Sequence, residues 1–305
     1  MKRAVSVSIG SSKRDKAVEV ELFGETVRLE RIGTDGDMEA AARMYTELDG
    51  QVDAFGVGGA LLGLMVGDQW YTMRSVQMLI QGVKKTPVVD GTGLKMTLER
   101  RAAGVVEREL GSYLTTRRAF SMSGLDRYGL TRGFFDAGYE MVLGDLMFTL
   151  GLSIPIHTEK SLKNLTDLLL PVVGRLPFSW IYPTGESQEK HTPKFTRYFE
   201  WASVLAGDCH YITKYMPDHL EGRVVVTNTT TEQDREQFKN AGIRYLVTTT
   251  PVYDGRSFGT NMMEAALVAA LGRTQAVDYA HPGDYFQVME NAIDELKLSP
   301  QLQEL

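Results

Sequence analysis

The stretch RRAFSMSGLDRYGLTRGFFDAGYEMVLGD, residues 117–145, decides the fold. Its first seven residues alternate like a strand, Gly124 to Gly129 form a turn that opens a helix over 128–137, and 140–145 read as a second strand. Asp145 closes that strand about twenty positions past Gly124, the spacing at which nucleotide-binding α/β sheets hold a ribose hydroxyl. GLDRYG is not a clean GxGxxG, so spacing and alternation carry the reading. Four more stretches extend it: FSWIYP at 178–183, DCHYIT at 208–213, GRVVVTN at 222–228 and IRYLVTTT at 243–250. Six strands separated by helices or connections predict an α/β protein with a Rossmann-like, doubly wound parallel sheet.

Working outward, Val5, Val7 and Ile9, then Val18, Val20 and Leu22, then Val27, Leu29 and Ile32 alternate as strands, with a turn at 23–26. A helix is expected over 38–48 behind caps at Asp35 to Asp37, a strand at VDAFGVG, a short hairpin over 64–71, a helix over 75–83 and a buried strand over 86–89. Residues 92–110 form a helical connector. Helices over 261–271 and 285–296 follow the parallel strands, and LKLSPQLQEL reads as a frayed tail. The predicted organisation is an N-terminal α/β substrate and catalytic lobe over 1–111, a dinucleotide-binding lobe over 112–275, and a C-terminal helix and tail over 276–305 that returns to the first lobe.

With 305 residues, 43% hydrophobic and 24% charged, the chain has the composition of a two-domain globular protein. Its 33 basic and 39 acidic residues show no basic stripe interleaved with aromatics, which argues against nucleic acid as a partner. No apolar run reaches the length of a membrane span and no signal peptide is visible, so a cytoplasmic protein is expected. One cysteine, Cys209, excludes an internal disulfide. A small anionic molecule is the expected partner, and the sequence leaves a homo-oligomer open.

The segments GRVVVTNTTTEQD, LVTTTPVYDGRSFGTNMMEAALVAALG and TPVVDGTGLKMTLERR resemble bacterial proteins named quinate 5-dehydrogenase, and the order of lobes is similar to that of the shikimate/quinate 5-dehydrogenase family. The resemblance implies an NAD(P)-dependent oxidoreductase of a small hydroxy or keto acid. It aligns Val247 to Pro251 with an Asn-Ala-Thr-Pro segment of that family, and Val89 to Gly93 with the stretch that carries a catalytic Asp. Asn-x-Thr-x-Pro-x-Lys is absent, and Ser6-Val7-Ser8 is what stands for a Ser-rich N-terminal motif.

Oxidation of a secondary alcohol needs a base for the hydroxyl proton. Asp90, at the end of a buried strand, and Lys95, one helical turn further, form the expected catalytic pair; the bland alternative is a helix cap beside a solvated lysine. For the cofactor, Ser121, Ser123 and Gly124 stand where helix-terminal amides would receive a diphosphate, with Arg127 adding charge. Asp145 favours NAD, although Lys160 keeps NADP open. Asn228, Thr229, Thr249 and Thr250 end two late strands and suit polar cofactor contacts.

Substrate-binding candidates are Ser11 and Lys13 after the first strand, Lys190 and Lys194 in the polar loop 182–195, and Arg256 before a helix. Asp208, His210 and His219 match no metal-ligand spacing, so no metal is expected. The alternative function is a non-redox protein or transferase that binds a nucleotide or sugar phosphate in the same crevice. A scaffold role is a third class.

Overall fold

A computed structural model describes residues 1–176, 191–250 and 259–305, together with the backbone of 252–253 and 256–257. In chain order the strands and helices begin with β1 (Lys2–Ser8), β2 (Lys16–Leu22), β3 (Glu25–Gly33), α1 (Met38–Leu48), β4 (Ala54–Gly58), β5 (Gly63–Val66), β6 (Gln69–Thr72), α2 (Arg74–Gln77), β7 (Val88–Val89), α3 (Thr92–Met96) and α4 (Ala102–Leu110). They continue with β8 (Arg118–Ser121), α5 (Tyr128–Asp136), β9 (Glu140–Leu143), α6 (Asp145–Leu150), α7 (Glu159–Val173), α8 (Thr196–Trp201), β10 (Val204–Ala206) and α9 (Cys209–Tyr215). The last are β11 (Val224–Thr227), α10 (Glu232–Asn240), β12 (Tyr245–Thr248), β13 (Val252–Tyr253), β14 (Arg256–Ser257), α11 (Thr260–Ala270), α12 (Tyr285–Glu295) and β15 (Gln301–Glu304).

The chain divides into two compact units, each assembled from separate segments. The first comprises the described parts of Met1–Leu94, Leu168–Gly185 and Phe258–Lys297; the second those of Lys95–Asp167, Glu186–Ser257 and Leu298–Leu305.

The first unit carries a five-stranded sheet in the order β2-β3-β1-β4-β7, parallel except for β2. The β2–β3 hairpin turns on Phe23 and Gly24, both at positive φ, the conformation that a tight two-residue turn requires. Asp37 caps α1 by accepting the Ala40 amide at 2.8 Å. Buried Tyr45 then donates to the carbonyls of Val7 and Gly56, which pins that helix to the sheet. On the sheet, α11 contacts β1, β3, β4 and β7. Its approach depends on Gly56, where a β-carbon would come within 2.9 Å of the Asn261 carbonyl.

The second unit carries a six-stranded sheet in the order β15-β12-β11-β10-β8-β9. Five strands are parallel and β15 is antiparallel to β12. The strand Val224–Thr227 is wholly buried, as a central parallel strand covered on both faces must be. Phe120, Phe199, Leu205, Ile212, Val225 and Phe238 anchor its core.

The α/β class and the doubly wound sheet agree with expectation; several details differ. DCHYIT is helix α9, because Asp208 accepts the His210 amide as an N-cap, and the parallel strand lies just before it at Val204–Ala206. The supposed tail supplies β15. FSWIYP lies outside the described residues. Residues 256–257 pair with 252–253 instead of opening a helix, which starts at Thr260.

The domain borders 1–111, 112–275 and 276–305 also change. Residues 95–110 belong with the second unit, because Gly129 and Gly133 let α5 lie against the main chain of Lys95 and Arg100. Helix α11 belongs with the first unit, since its apolar surface covers that sheet. Helix α12 lies in the first unit, while β15 extends the second.

Candidate functional site

In the second unit β8 is flanked by β9 on one side and β10 on the other, so the connections leaving β8 and β9 run to opposite sides. This is the topological switch point, and open α/β sheets bind ligands beyond the carboxyl ends of the strands there. Ser121 ends β8, and its buried hydroxyl has no hydrogen-bond partner among the described residues. Gly207 follows β10; a β-carbon there would lie 3.7 Å from Ser121 Oγ. After β12, the buried Thr249 hydroxyl likewise has no hydrogen-bond partner among the described residues.

Asp145 corrects the sequence reading most. Its carboxylate accepts the amides of Gly124 at 3.1 Å and Leu125 at 2.9 Å, and a β-carbon on Gly124 would come within 3.2 Å of it. The amides assigned to a diphosphate are thus bound by the residue assigned to the ribose. Burial raises the Asp145 pKa to about 6, against the lowering effect of those same amides. The Gly124 turn therefore does not fit a dinucleotide diphosphate as it stands. The hydroxyls of Ser121 and Thr249 do fit a polar ligand laid along the strand ends. Ser123 lies half-buried in the turn.

Below that turn sits a buried ionic layer. Arg127 donates to Glu99 at 2.6 Å and to Asp208 at 2.8 Å, and also faces Asp126. Burial opposes its charge, yet Glu99, Asp126 and Asp208 together raise its pKa and hold the guanidinium ionised. Asp208 is held low by the same arginine against its own burial. Arg127 is therefore a structural counter-ion, contrary to its assignment to a diphosphate. Lys95, 7% exposed, donates to Asp126 at 3.0 Å. The expected partner of Lys95 was Asp90; the observed one is Asp126, in the loop that leaves β8.

Asp90 has its own role in the first unit, accepting the amides of Leu62 at 2.8 Å and Thr92 at 3.0 Å. This is the capping alternative. Near it is Glu264 of α11, wholly buried, which accepts from the Gly93 amide and from the hydroxyls of Tyr279 and Tyr285. Burial raises the Glu264 pKa to about 7. Nothing singled it out in the sequence except its place as the lone acid within NMMEAALVAA.

The sequence brought Asn228, Thr229, Thr249 and Thr250 together, and the structure does too. Thr249 donates its amide to the Thr227 carbonyl, Thr250 its hydroxyl to the Asn228 carbonyl, and the Asn228 amide nitrogen reaches Asp208. Thr229 is half-buried beside them.

The substrate candidates fare less well. The Ser11 hydroxyl accepts the Lys13 amide and caps a short 3-10 turn, with Lys13 exposed. Lys194 is exposed above the Tyr215 ring. Lys190 and the Arg256 side chain lie outside the described residues. Asp126 and Glu99, which carry the ionic layer, were missed, although the adjacent Asp126-Arg127 pair opening a helix is a visible signal. Among the described residues no cluster of three acidic, histidine or cysteine side chains suits a metal ion.

The model of the family described as Domain of unknown function (DUF8754) matches residues 93–305. The chain belongs to this family. A second model, Domain of unknown function (DUF8753), matches residues 3–90. The gap between the two matches falls within four residues of the border between the first two structural segments, at Leu94–Lys95.

No curated protein matches the chain. Similar solved structures include the Entamoeba histolytica malic enzyme, 12% identical over 84% of this chain and 53% of that one, with a TM-score of 0.37. The chain thus spans about half the length of that enzyme. The NAD-dependent malic enzyme of Thermotoga maritima is 11% identical over 96% of this chain and 84% of its own, with a TM-score of 0.39. A Mycobacterium smegmatis protein in complex with β-D-fucofuranose is 12% identical over 96% and 98%, with a TM-score of 0.33. Within the described residues no helix is long and apolar enough to cross a membrane.

Proposed function

We propose that the chain is an oxidoreductase that uses a nicotinamide nucleotide, NAD or NADP, on a small hydroxy or keto acid, with quinate- or shikimate-like acids as the first candidates. The observation that carries this reading is the Lys95–Asp126 pair beside the switch point of a doubly wound sheet. A bound nicotinamide would take the hydride. In its neutral form Lys95 would accept the proton of the substrate hydroxyl, and Asp126 would hold the resulting ammonium in place. The hydroxyls of Ser121 and Thr249 are the groups that would hold polar atoms of the nucleotide.

The test is thermal unfolding with NAD, NADP and ADP-ribose, alongside nicotinamide reduction with a panel of hydroxy acids. A nucleotide at a hundred times its dissociation constant should add roughly 2.7 kcal/mol. Turnover should fall by about 10²–10⁴ in Lys95→Met. No stabilisation by either dinucleotide, with or without acids, overturns the proposal.

A second reading, a non-redox protein that binds a nucleotide or sugar phosphate, rests on the polar strand ends at Ser121, Asn228 and Thr249, which carry nothing specific to a nicotinamide. It requires ADP-ribose to stabilise the chain as strongly as NAD, with no turnover of any acid.

A further inference from the structure

At the carboxyl end of β1 two guanidiniums converge on one glycine. A β-carbon built on Gly10 would lie 2.6 Å from Arg14 Nη2, 3.2 Å from Arg31 Nη2 and 3.3 Å from Ser8 Oγ. Arg31 reaches this point from β3, donating to Ser8 Oγ at 2.9 Å, to the Ser11 carbonyl at 3.0 Å and to Asp15 at 2.8 Å. Its side chain is 14% exposed. Burial, and then the charge of Arg14, lower its pKa, as expected when like charges are held closer than solvent would place them.

Arg14 is exposed and makes no ion pair among the described residues. Lys13 precedes it on the same turn. The nearby acids are already engaged: Asp15 with Arg31 and the Gly33 amide, Asp35 with the Ser12 amide. Ser8 Oγ accepts from Arg31 and from the Gly10 amide, which leaves its own proton to give. This edge faces the switch point of the first sheet, where β1 adjoins β4; Gly59 follows β4, and a β-carbon there would be 3.3 Å from the Gly10 amide nitrogen.

We infer that the first unit carries an oxyanion site in which Arg14, Arg31 and Ser8 grip the phosphate of a small phosphate monoester. A planar carboxylate is satisfied by the fork of one guanidinium, whereas a phosphate offers three terminal oxygens and a second charge, enough for the Arg14 fork, the remaining Arg31 Nη2 proton and the Ser8 hydroxyl together. The site lies within the first unit and does not rest on the nucleotide reading of the second.

Calorimetric titration of the intact chain with inorganic phosphate tests it, with malonate as the carboxylate arm and sodium chloride at matched ionic strength as the control. Phosphate is expected to bind at least tenfold tighter than malonate. Arg14→Gln should weaken phosphate at least tenfold with the melting temperature unchanged, because that side chain makes no ion pair among the described residues. Gly10→Ala should weaken it as much without removing a charge, by filling the gap between the guanidiniums. Heats of phosphate no different from chloride, unaltered phosphate affinity in folded Arg14→Gln, or malonate binding as tight as phosphate each overturn the inference.

Discussion

Gly129 lies flat against the main chain of Lys95: a β-carbon at position 129 would fall inside the Lys95 carbonyl oxygen. The backbone that presents Lys95 to Asp126 is therefore set by a residue with no side chain. Gly129→Ala must push α5 away or shift Lys95, and overpacking of this kind costs about 1–3 kcal/mol, occasionally more. Equilibrium urea unfolding is expected to show that loss, and turnover of any identified substrate should drop in the molecules that stay folded. A neutral outcome in unfolding would mean that the two segments part easily.

Arg127 should be the least replaceable charge of the second unit. Arg127→Met removes the guanidinium that Glu99, buried, and Asp208, partly buried, share, a change on the order of 3–5 kcal/mol. Adding Glu99→Gln should recover part of it, since one of the two carboxylates that faced Arg127 is then neutral. A single-variant loss below about 1 kcal/mol, where surface ion pairs lie, would show that the layer is solvated after all.

Glu264 ties stability to pH. Its folded pKa of about 7 lies above an ordinary glutamate near 4.3, so the folded chain keeps a proton that the unfolded chain releases. The contribution is complete below about pH 4, declines as pH rises through the window up to 7, and is gone above it. Asp145, raised to about 6, acts in the same direction over a narrower window. In Glu264→Gln the proton is replaced by a permanent neutral amide, so the decline between about pH 4 and 7 should shrink in denaturant titrations. An unchanged slope would place the carboxylate in its ionised form throughout.

Removing the Asp145 carboxylate opens the Gly124 turn. Asp145→Ala leaves two amides without their acceptor, at a cost of about 1–3 kcal/mol each if they stay dry. In exchange the turn gains two donors aimed at an anion, so inorganic pyrophosphate should bind more tightly to the variant by titration calorimetry. Unchanged or weaker binding would mean that the freed amides do not point at an anion.

Periodicity revealed most strands, and the caps at Asp37 and the turn at Phe23-Gly24 could be read from residue type alone. DCHYIT misled because Cys209, Tyr211 and Thr213 alternate with His210 and Ile212, while the capping ability of Asp208, a three-atom interaction, decided for helix. The carboxyl-edge residues Asn228, Thr249 and Thr250 were legible because strand ends follow from strand bounds. Which carboxylate meets which cation was not, since Lys95–Asp126 and Arg127–Asp208 join residues 31 and 81 positions apart. The partner of Asp145 was hidden for a different reason: spacing places the side chain beside the turn but does not say whether it faces a ligand or the turn itself.

The apolar surface of the first sheet waits for α11, which the ribosome makes some 170 residues after β7. Until then the strands formed by the opening segment have one uncovered face, and their partner is a helix buried along almost its whole length. Such distant pairing slows folding and lengthens the interval in which greasy surface is open to aggregation. A recombinant piece ending near Leu94 should for that reason collect in inclusion bodies, and co-expression of a peptide spanning α11 should bring it into solution.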